Sequence, residues 1–183
     1  MLVASQMKVA NQRRLFLLQL VADALKHLAD SEMPKKLNDS FLDEPLDQDL
    51  LGFVVSITDR ADLPSPLCII ACIYILRLKK WNPHLKISEA NVRRLFLVSA
   101  MLSSKVHEDV IFRNVDWARL SDVYNSALLN QMEIEFLSWI NFQTTVTFDE
   151  FKNYIDCLTS RSSIKPSVLK SLKGELLSPF LEC

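Results

Sequence analysis

Residues 87–105 read ISEANVRRLFLVSAMLSSK, and this stretch decides the fold class. Wound as an α-helix, it places apolar side chains on nearly every side between Leu95 and Leu102. Such a helix is surrounded by other elements, because a helix on a protein surface keeps one polar face. No glycine or proline interrupts the run. The sequence therefore predicts a buried central helix from Glu89 to about Lys105.

Glycine is scarce in the rest of the chain. The 183 residues include only Gly52 and Gly174, although 49% of the residues are hydrophobic. β-Sandwiches, barrels and phosphate-binding loops need glycine at tight turns and where the backbone approaches a ligand. Long apolar segments with so few glycines favour helices packed on helices. We therefore predict an all-α fold, a five-helix bundle around the buried central helix, with an additional N-terminal helix and a short C-terminal extension.

Charge and cysteine placement argue against several classes of function. A net charge of −1 gives no overall positive field for nucleic acid. The longest apolar run, residues 67–76, is much shorter than the ~20 residues that span a membrane. The four cysteines and three histidines are scattered, so we expect no metal, no cofactor and reduced thiols inside the cell. No nucleophile–base pair or phosphate loop stands out, so we do not expect an enzyme.

Helical spacing and turn residues divide the chain into four parts. Residues 1–33 contain a helix with one apolar stripe, which we expect to pack on the protein's own core; the alternative is a partner chain. Residues 34–46 are polar and contain two prolines, so we expect a mobile or loosely packed linker. The five helices of the bundle fall within residues 47–158. The tail, residues 159–183, supports one short helix.

Start signals and irregular regions refine this outline. Ser88, Asn125 and Thr147 are each placed as N-caps of the helix that follows. Residues 106–124 mix acids with short apolar steps, and we expect irregular structure with one turn of helix. The composition of residues 67–78 suits a strand or a helix, and their length and start signal favour helix. The predicted hydrophobic centre consists of Cys72, Leu95, Val98, Met101, Leu102 and Phe136.

Two charged residues lie on the apolar faces of the predicted helices. Lys105 ends the central helix on an apolar side, and Glu133 lies on the apolar stripe of a later helix. A carboxylate in such a position costs free energy unless it finds a partner. One interpretation is an internal ion pair that only stabilises the fold; the other is that both groups also hydrogen-bond a partner's backbone. The nearby Glu108 and Asp109 are interpreted as solvated, because no second histidine or cysteine lies close enough for a metal site.

Three segments in this order resemble a cyclin box. Residues 65–77, SPLCIIACIYILR, resemble its second helix, and residues 87–105 closely resemble its third. Residues 129–142, LNQMEIEFLSWINF, are similar to its fourth, which leads into a helix that starts with Thr147. The similarity covers roughly three fifths of the chain. It is greatest to the single-box P/U-type cyclins, the phosphate-regulon-like group.

The resemblance implies a regulatory subunit that binds and activates a cyclin-dependent protein kinase, in the nucleus or cytoplasm, in cell-cycle or nutrient signalling. The usual kinase-contacting lysine and glutamate of cyclins correspond to Lys105 and Glu133. In P/U-type cyclins the acids after that lysine lie near the kinase, so Glu108 or Asp109 is expected to hold an arginine of its activation segment. Protein substrates or inhibitors of the complex are further expected partners; nucleic acid and membranes are not. The alternative function is a helical adaptor with a cyclin fold but without kinase activation.

The sequence departs from the cyclin pattern at three places. Leu76 precedes Arg77 where many cyclins have an aspartate, so the resemblance does not imply the local salt bridge of those cyclins. The segment before residues 129–142 is one residue longer than usual. The hydrophobic substrate-docking motif of cell-cycle cyclins is not evident in residues 50–57, so the resemblance does not imply how substrates are recruited.

Overall fold

The computed structural model describes residues 2–29, 41, 49–160 and 166–181. These residues form eight α-helices and no β-strand, which confirms the predicted all-α class. The helices are α1 (Leu2–Leu28), α2 (Leu50–Arg60), α3 (Ser65–Trp81), α4 (Val92–His107), α5 (Asn114–Ser121), α6 (Ser126–Trp139), α7 (Phe148–Ser160) and α8 (Pro166–Leu181). None of these described helices has the length and apolar character of a membrane-spanning segment.

The predicted central helix, α4, is buried in the middle of the bundle. Eleven of its 16 residues are buried, and it packs against α2, α3 and α6. Every residue from Leu95 to Leu102 is buried, as the sequence pattern predicts. The segment that suited strand or helix belongs to α3, which packs extensively on α4. All the side chains predicted for the hydrophobic centre are buried: Cys72, Leu95, Val98, Met101, Leu102 and Phe136.

The start of α4 differs from the prediction. The helix begins at Val92 rather than Glu89, and Ser88 is not its N-cap. The Asn91 side chain accepts a hydrogen bond from the Ser88 N–H (2.9 Å) and donates one to the Lys86 carbonyl (2.9 Å). These bonds close a turn ahead of the helix, so helical backbone starts only after Asn91.

The other two predicted start signals are present. The side chain of Asn125 accepts a hydrogen bond from the Leu128 N–H at 2.9 Å, in the first turn of α6. The hydroxyl of Thr147 accepts one from the Glu150 N–H at 3.2 Å, in the first turn of α7. Both bonds satisfy N–H groups that have no partner within the helix.

The segment expected to be irregular, residues 106–124, contains α5, a helix of eight residues. Six helices therefore lie between residues 50 and 160, where we predicted five. The Asp116 carboxylate accepts the Arg113 N–H at 3.0 Å and so caps the start of α5. Trp117 is completely buried, and Asp122 ends the helix with a left-handed φ of 59°. An arginine is not among the residues that mark helix starts, so the sequence alone does not identify α5.

The N-terminal helix packs on the core, as predicted. Leu17 and Leu25 are completely buried, and α1 contacts α2, α3 and α7. The Arg14 guanidinium donates to the carbonyl oxygens of Thr58 (3.1 Å) and Leu63 (3.0 Å), near the end of α2. The Thr58 carbonyl also accepts the Leu63 N–H at 2.9 Å, so Arg14 ties this turn after α2 to α1.

A chain shortened to begin at Asp47 is expected to be less stable and less soluble than the full chain. It would lose the buried face of α1 and expose the surfaces of α2 and α3 beneath it. The free energy of unfolding should fall by at least about 3 kcal/mol, since each large apolar side chain contributes roughly 1.5–3 kcal/mol when buried. Thermal unfolding and solubility of the two chains measure both effects. Equal stability, with loss only of partner binding, would instead assign α1 to a partner.

The predicted linker, residues 34–46, is described only at Phe41. This residue is completely buried, and its ring lies against Trp139, with ring centroids 4.9 Å apart. The prediction of loose packing is therefore wrong at Phe41, where burial of an aromatic ring outweighs the polar composition around it. The other linker residues lie outside the described part of the chain.

The tail helix, α8, is longer than the short helix we predicted and covers 16 residues. Pro166 is its first residue, a position where the missing N–H has no helical partner. Gly174 lies in its interior, which costs about 1 kcal/mol relative to alanine. Leu172 and Leu176 are buried and α8 packs on α7, so tertiary packing offsets that cost.

Asp156 connects α7 to α8. Its carboxylate accepts hydrogen bonds from Lys173 Nζ on α8 (2.6 Å) and from Lys152 Nζ on α7 (3.2 Å). The bond from Lys173, followed by that from Lys152, lowers the pKa of Asp156 below its ordinary value of 3.8. A carboxyl whose pKa is lowered on folding stabilises the fold fully above that ordinary value. This contribution is lost as the pH falls through the lower folded-state pKa.

Asp156→Asn is therefore expected to lower stability at pH 7 and to have a smaller effect at low pH. The loss at pH 7 should stay below about 1 kcal/mol, because partly exposed ion pairs are screened by water. Urea unfolding of both proteins at pH 7 and at pH 3 measures the difference. An equal loss at the two pH values would show that the carboxylate charge does not hold α8 on α7.

Candidate partner-binding site

The predicted ion pair is formed where α4 meets α6. Lys105 lies in the last turn of α4 and Glu133 in the middle of α6, and Lys105 Nζ donates to Glu133 Oε1 at 2.5 Å. Their side chains are 21% and 18% exposed, so the pair lies at the surface but is largely withdrawn from water. Packing of two helices thus joins residues that are 28 positions apart in the sequence.

A third residue, Asn114, completes this cluster. The sequence analysis did not identify it. Lys105 Nζ donates to Asn114 Oδ1 at 2.5 Å, and Asn114 Nδ2 donates to Glu133 Oε2 at 2.7 Å. The same Nδ2 group donates to Asn130 Oδ1 at 2.6 Å. Asn114 is the first residue of α5, the helix that the sequence does not mark. The cluster therefore joins α4, α5 and α6 through side-chain hydrogen bonds.

The bonds within the cluster leave part of its hydrogen-bonding capacity unused among the described residues. An ammonium group has three hydrogens, and Lys105 uses two of them in these bonds within the described residues. Each Glu133 oxygen accepts one of these bonds and has a second lone pair. The site can thus donate to a carbonyl and accept from an N–H group while the internal pair stays intact.

The predicted acidic residues lie beside the end of α4. Glu108 is half-buried, and its Oε2 atom accepts a hydrogen bond from the Ser104 hydroxyl at 2.7 Å. Asp109 is exposed. Partial burial lowers the pKa of His107, the last residue of α4, below its ordinary value. The bond from Ser104 thus ties Glu108 to the last turns of α4, whereas Asp109 is exposed to solvent.

Two large apolar residues that lie near Lys105 and Glu133 in the sequence are exposed. Val110 follows the end of α4 and is 79% exposed, and Ile134 follows Glu133 in α6 and is 67% exposed. Large apolar side chains held in water, with hydrogen-bonding groups between them, are typical of a protein interface. A groove of about 510 Å³ includes part of the cluster and is lined by Lys105, Ile111, Phe112, Arg113, Asn114, Val115, Ser126 and Asn130.

The sequence model of the cyclin family matches residues 50–144, slightly more than half of the chain. This region contains the five helices α2 to α6 and every residue of the cluster around Lys105. We assigned residues 129–142 to the fourth helix of the box. In the structure they belong largely to α6, which is the fifth helix of the matched region because α5 precedes it. The helix α7 begins beyond the matched region.

Curated proteins similar to this chain include plant cyclins. Cyclin-U4-3 of Arabidopsis thaliana is 28% identical over 157 residues, which cover 86% of this chain and 69% of that protein. Cyclin-U1-1 of Arabidopsis thaliana is 35% identical over 120 residues, 63% of this chain and 57% of that protein. Cyclin-P4-1 of Oryza sativa subsp. japonica is 32% identical over 97 residues, 52% of this chain and 45% of that protein. The chain thus spans between about half and two thirds of the length of these relatives.

Proposed function

Because this chain belongs to the cyclin family, whose members regulate rather than catalyse, we propose that it binds and activates a cyclin-dependent protein kinase. The observation that carries the proposal is the Lys105–Asn114–Glu133 cluster, which keeps free hydrogen-bonding capacity amid exposed apolar side chains. A purely structural ion pair needs no such surface around it.

The proposed mechanism is a shift of the kinase between two conformations. Phosphoryl transfer requires the kinase's own Lys–Glu ion pair and its activation segment to be in place. A rigid helical partner that binds the active arrangement more tightly moves the population towards it. A shift from 1:99 to 99:1 takes about a 10⁴-fold difference in affinity for the two states. The cluster of three joined helices is suited to this, because it presents a fixed surface.

Each part of the site has a role in the proposed contact. Lys105 donates its third hydrogen to a backbone carbonyl of the kinase, and Glu133 accepts from a backbone N–H group. Glu108, fixed by Ser104, accepts an arginine of the activation segment, with Asp109 beside it. Exposed apolar residues supply the contact area that the polar groups orient.

Purification of the full chain from its own cells, followed by mass spectrometry of co-purifying proteins, tests the proposal. We expect a cyclin-dependent kinase to be recovered with the wild-type chain and to be depleted with Lys105→Ala. Lys152→Ala is the matched control, because it removes an exposed lysine of an ion pair within α7. Recovery of other proteins with no kinase would favour the helical adaptor instead.

A further inference from the structure

Positive charge is concentrated at the C-terminal ends of α1 and α3. Residues 24–29 and 78–86 include four lysines, two histidines and no acidic residue. The whole chain has a net charge of −1, and these lysines contribute +4, so the rest of the chain carries −5. We refer to the two segments together as the basic surface. Its charge is opposite to that of the remaining chain.

Hydrogen bonds hold the two segments of the basic surface together. Lys79 Nζ donates to the Leu28 carbonyl at 3.2 Å, which joins the last turn of α3 to the end of α1. Asn82 follows α3, and its Nδ2 group donates to the carbonyls of Leu78 (3.0 Å) and of Trp139, at the end of α6 (2.8 Å). The ends of three helices are thereby fixed relative to one another.

The helix ends alone do not account for the charge of the basic surface. The C-terminus of a helix carries about −0.5 of an elementary charge, so two helix ends offset only about one of the four lysines. Lys26 and Lys80 are exposed, and neither forms an ion pair within the described part of the chain. Trp81 follows Lys80 and is 37% exposed. Uncompensated charge therefore lies next to an accessible aromatic ring.

We propose that the basic surface is a docking site for an extended acidic segment of a partner protein. Helices in contact, as α1 and α3 are, have axes about 8–10 Å apart. An extended chain advances roughly 3.3 Å per residue, so carboxylates about three positions apart match this spacing. Lys26 and Lys80 bind these carboxylates, and Trp81 contacts an apolar side chain of the same segment.

The charge of the remaining chain favours a short acidic segment over nucleic acid. A long polyanion would extend past residues 24–29 and 78–86 onto a surface of net negative charge, which repels it. A segment of a few residues stays within the basic surface. The favoured occupant is therefore a peptide that carries closely spaced aspartates or glutamates.

The basic surface is separate from the candidate partner-binding site. It adjoins the segment that leads into Val92, the first residue of α4, whereas Lys105 lies in the last turn of that helix. With a rise of 1.5 Å per residue, the two ends are roughly 20 Å apart. A substrate or inhibitor with an acidic segment can therefore dock while Lys105 contacts a kinase. Binding of an acidic peptide to the chain alone tests the inference independently of the proposed function.

Fluorescence anisotropy of a fluorescein-labelled octaglutamate peptide, titrated with the full chain at about 50 mM salt, tests the proposal, since such salt screens charges only partly. We expect Lys26→Gln and Lys80→Gln together to raise the dissociation constant at least roughly fivefold, because two cations of the surface are lost. The matched control is Lys152→Gln with Lys170→Gln, which removes two exposed lysines of α7 and α8. It should stay within about twofold of wild type.

Four results would overturn the proposal. Equal losses in the two double variants would show that only the net charge of the chain matters, and no binding by the wild-type chain would show that the surface does not dock acidic segments. Binding only after Asp30→Asn and Glu32→Gln would instead assign the surface to the chain's own acids. Tighter binding of a fluorescein-labelled single-stranded oligonucleotide, lost in the Lys26 and Lys80 variant, would assign it to nucleic acid.

Discussion

Lys105→Ala and Glu133→Ala are each expected to weaken kinase binding by about 2–5 kcal/mol, or roughly 30-fold to several thousand-fold. Removing one charge leaves its partner in a site with little access to water, and the complex loses the hydrogen bonds that the missing group makes to the kinase. Because the two side chains keep about a fifth of their exposure, we expect values near the lower end of this range. The same changes should lower the stability of the free protein by less than they weaken binding.

Calorimetric titration of the kinase and thermal unfolding of the free chain measure the two effects separately. Lys152→Ala, which breaks a partly exposed pair within α7, should change both by less than about 1 kcal/mol. The double variant should bind almost as well as either single variant, because each change disables the same cluster. If both single variants bind and activate the kinase normally, the ion pair is only structural.

Leu95→Ala is expected to destabilise the protein by about 2–5 kcal/mol. Leu95 is completely buried on α4, which α2, α3 and α6 enclose, so its deletion leaves a cavity that the surrounding helices cannot easily fill. Urea unfolding of the wild type and the variant measures the difference. The matched control is Leu15→Ala on α1, since that leucine is 53% exposed and its loss should cost less than about 0.5 kcal/mol.

A loss well below about 1 kcal/mol in Leu95→Ala would contradict the central position of α4. A similar loss in both variants would show that burial does not determine the effect. Either result would require a different core from the one described above.

The sequence alone predicts those parts of the structure in which the pattern of a single segment determines how that segment packs. The apolar run in residues 87–105 predicts a buried helix, since no other placement avoids exposing apolar residues to water. The unusual positions of Lys105 and Glu133 point to a pair for the same reason: each needs a partner. Such inferences need only the periodicity of one helix at a time.

The sequence alone does not predict contacts between segments that are far apart in the chain. The cap of α5 is formed by the Asp116 side chain on an arginine N–H, so Asn114 could not be placed in the cluster. The pairing of Arg77 with Glu150 spans 73 positions and depends on how α7 packs on α3. Burial of Phe41 against Trp139 likewise depends on contacts that composition does not encode.

The most direct test of the central claim is the rate of phosphoryl transfer by the co-purifying kinase with increasing amounts of this protein. The proposal predicts that the rate rises from a low basal value and saturates as the complex forms. Lys105→Ala should reach the same plateau only at much higher concentration, because binding is weakened while the active kinase conformation is unchanged. A kinase that binds the wild-type chain with no rise in rate would contradict the claim.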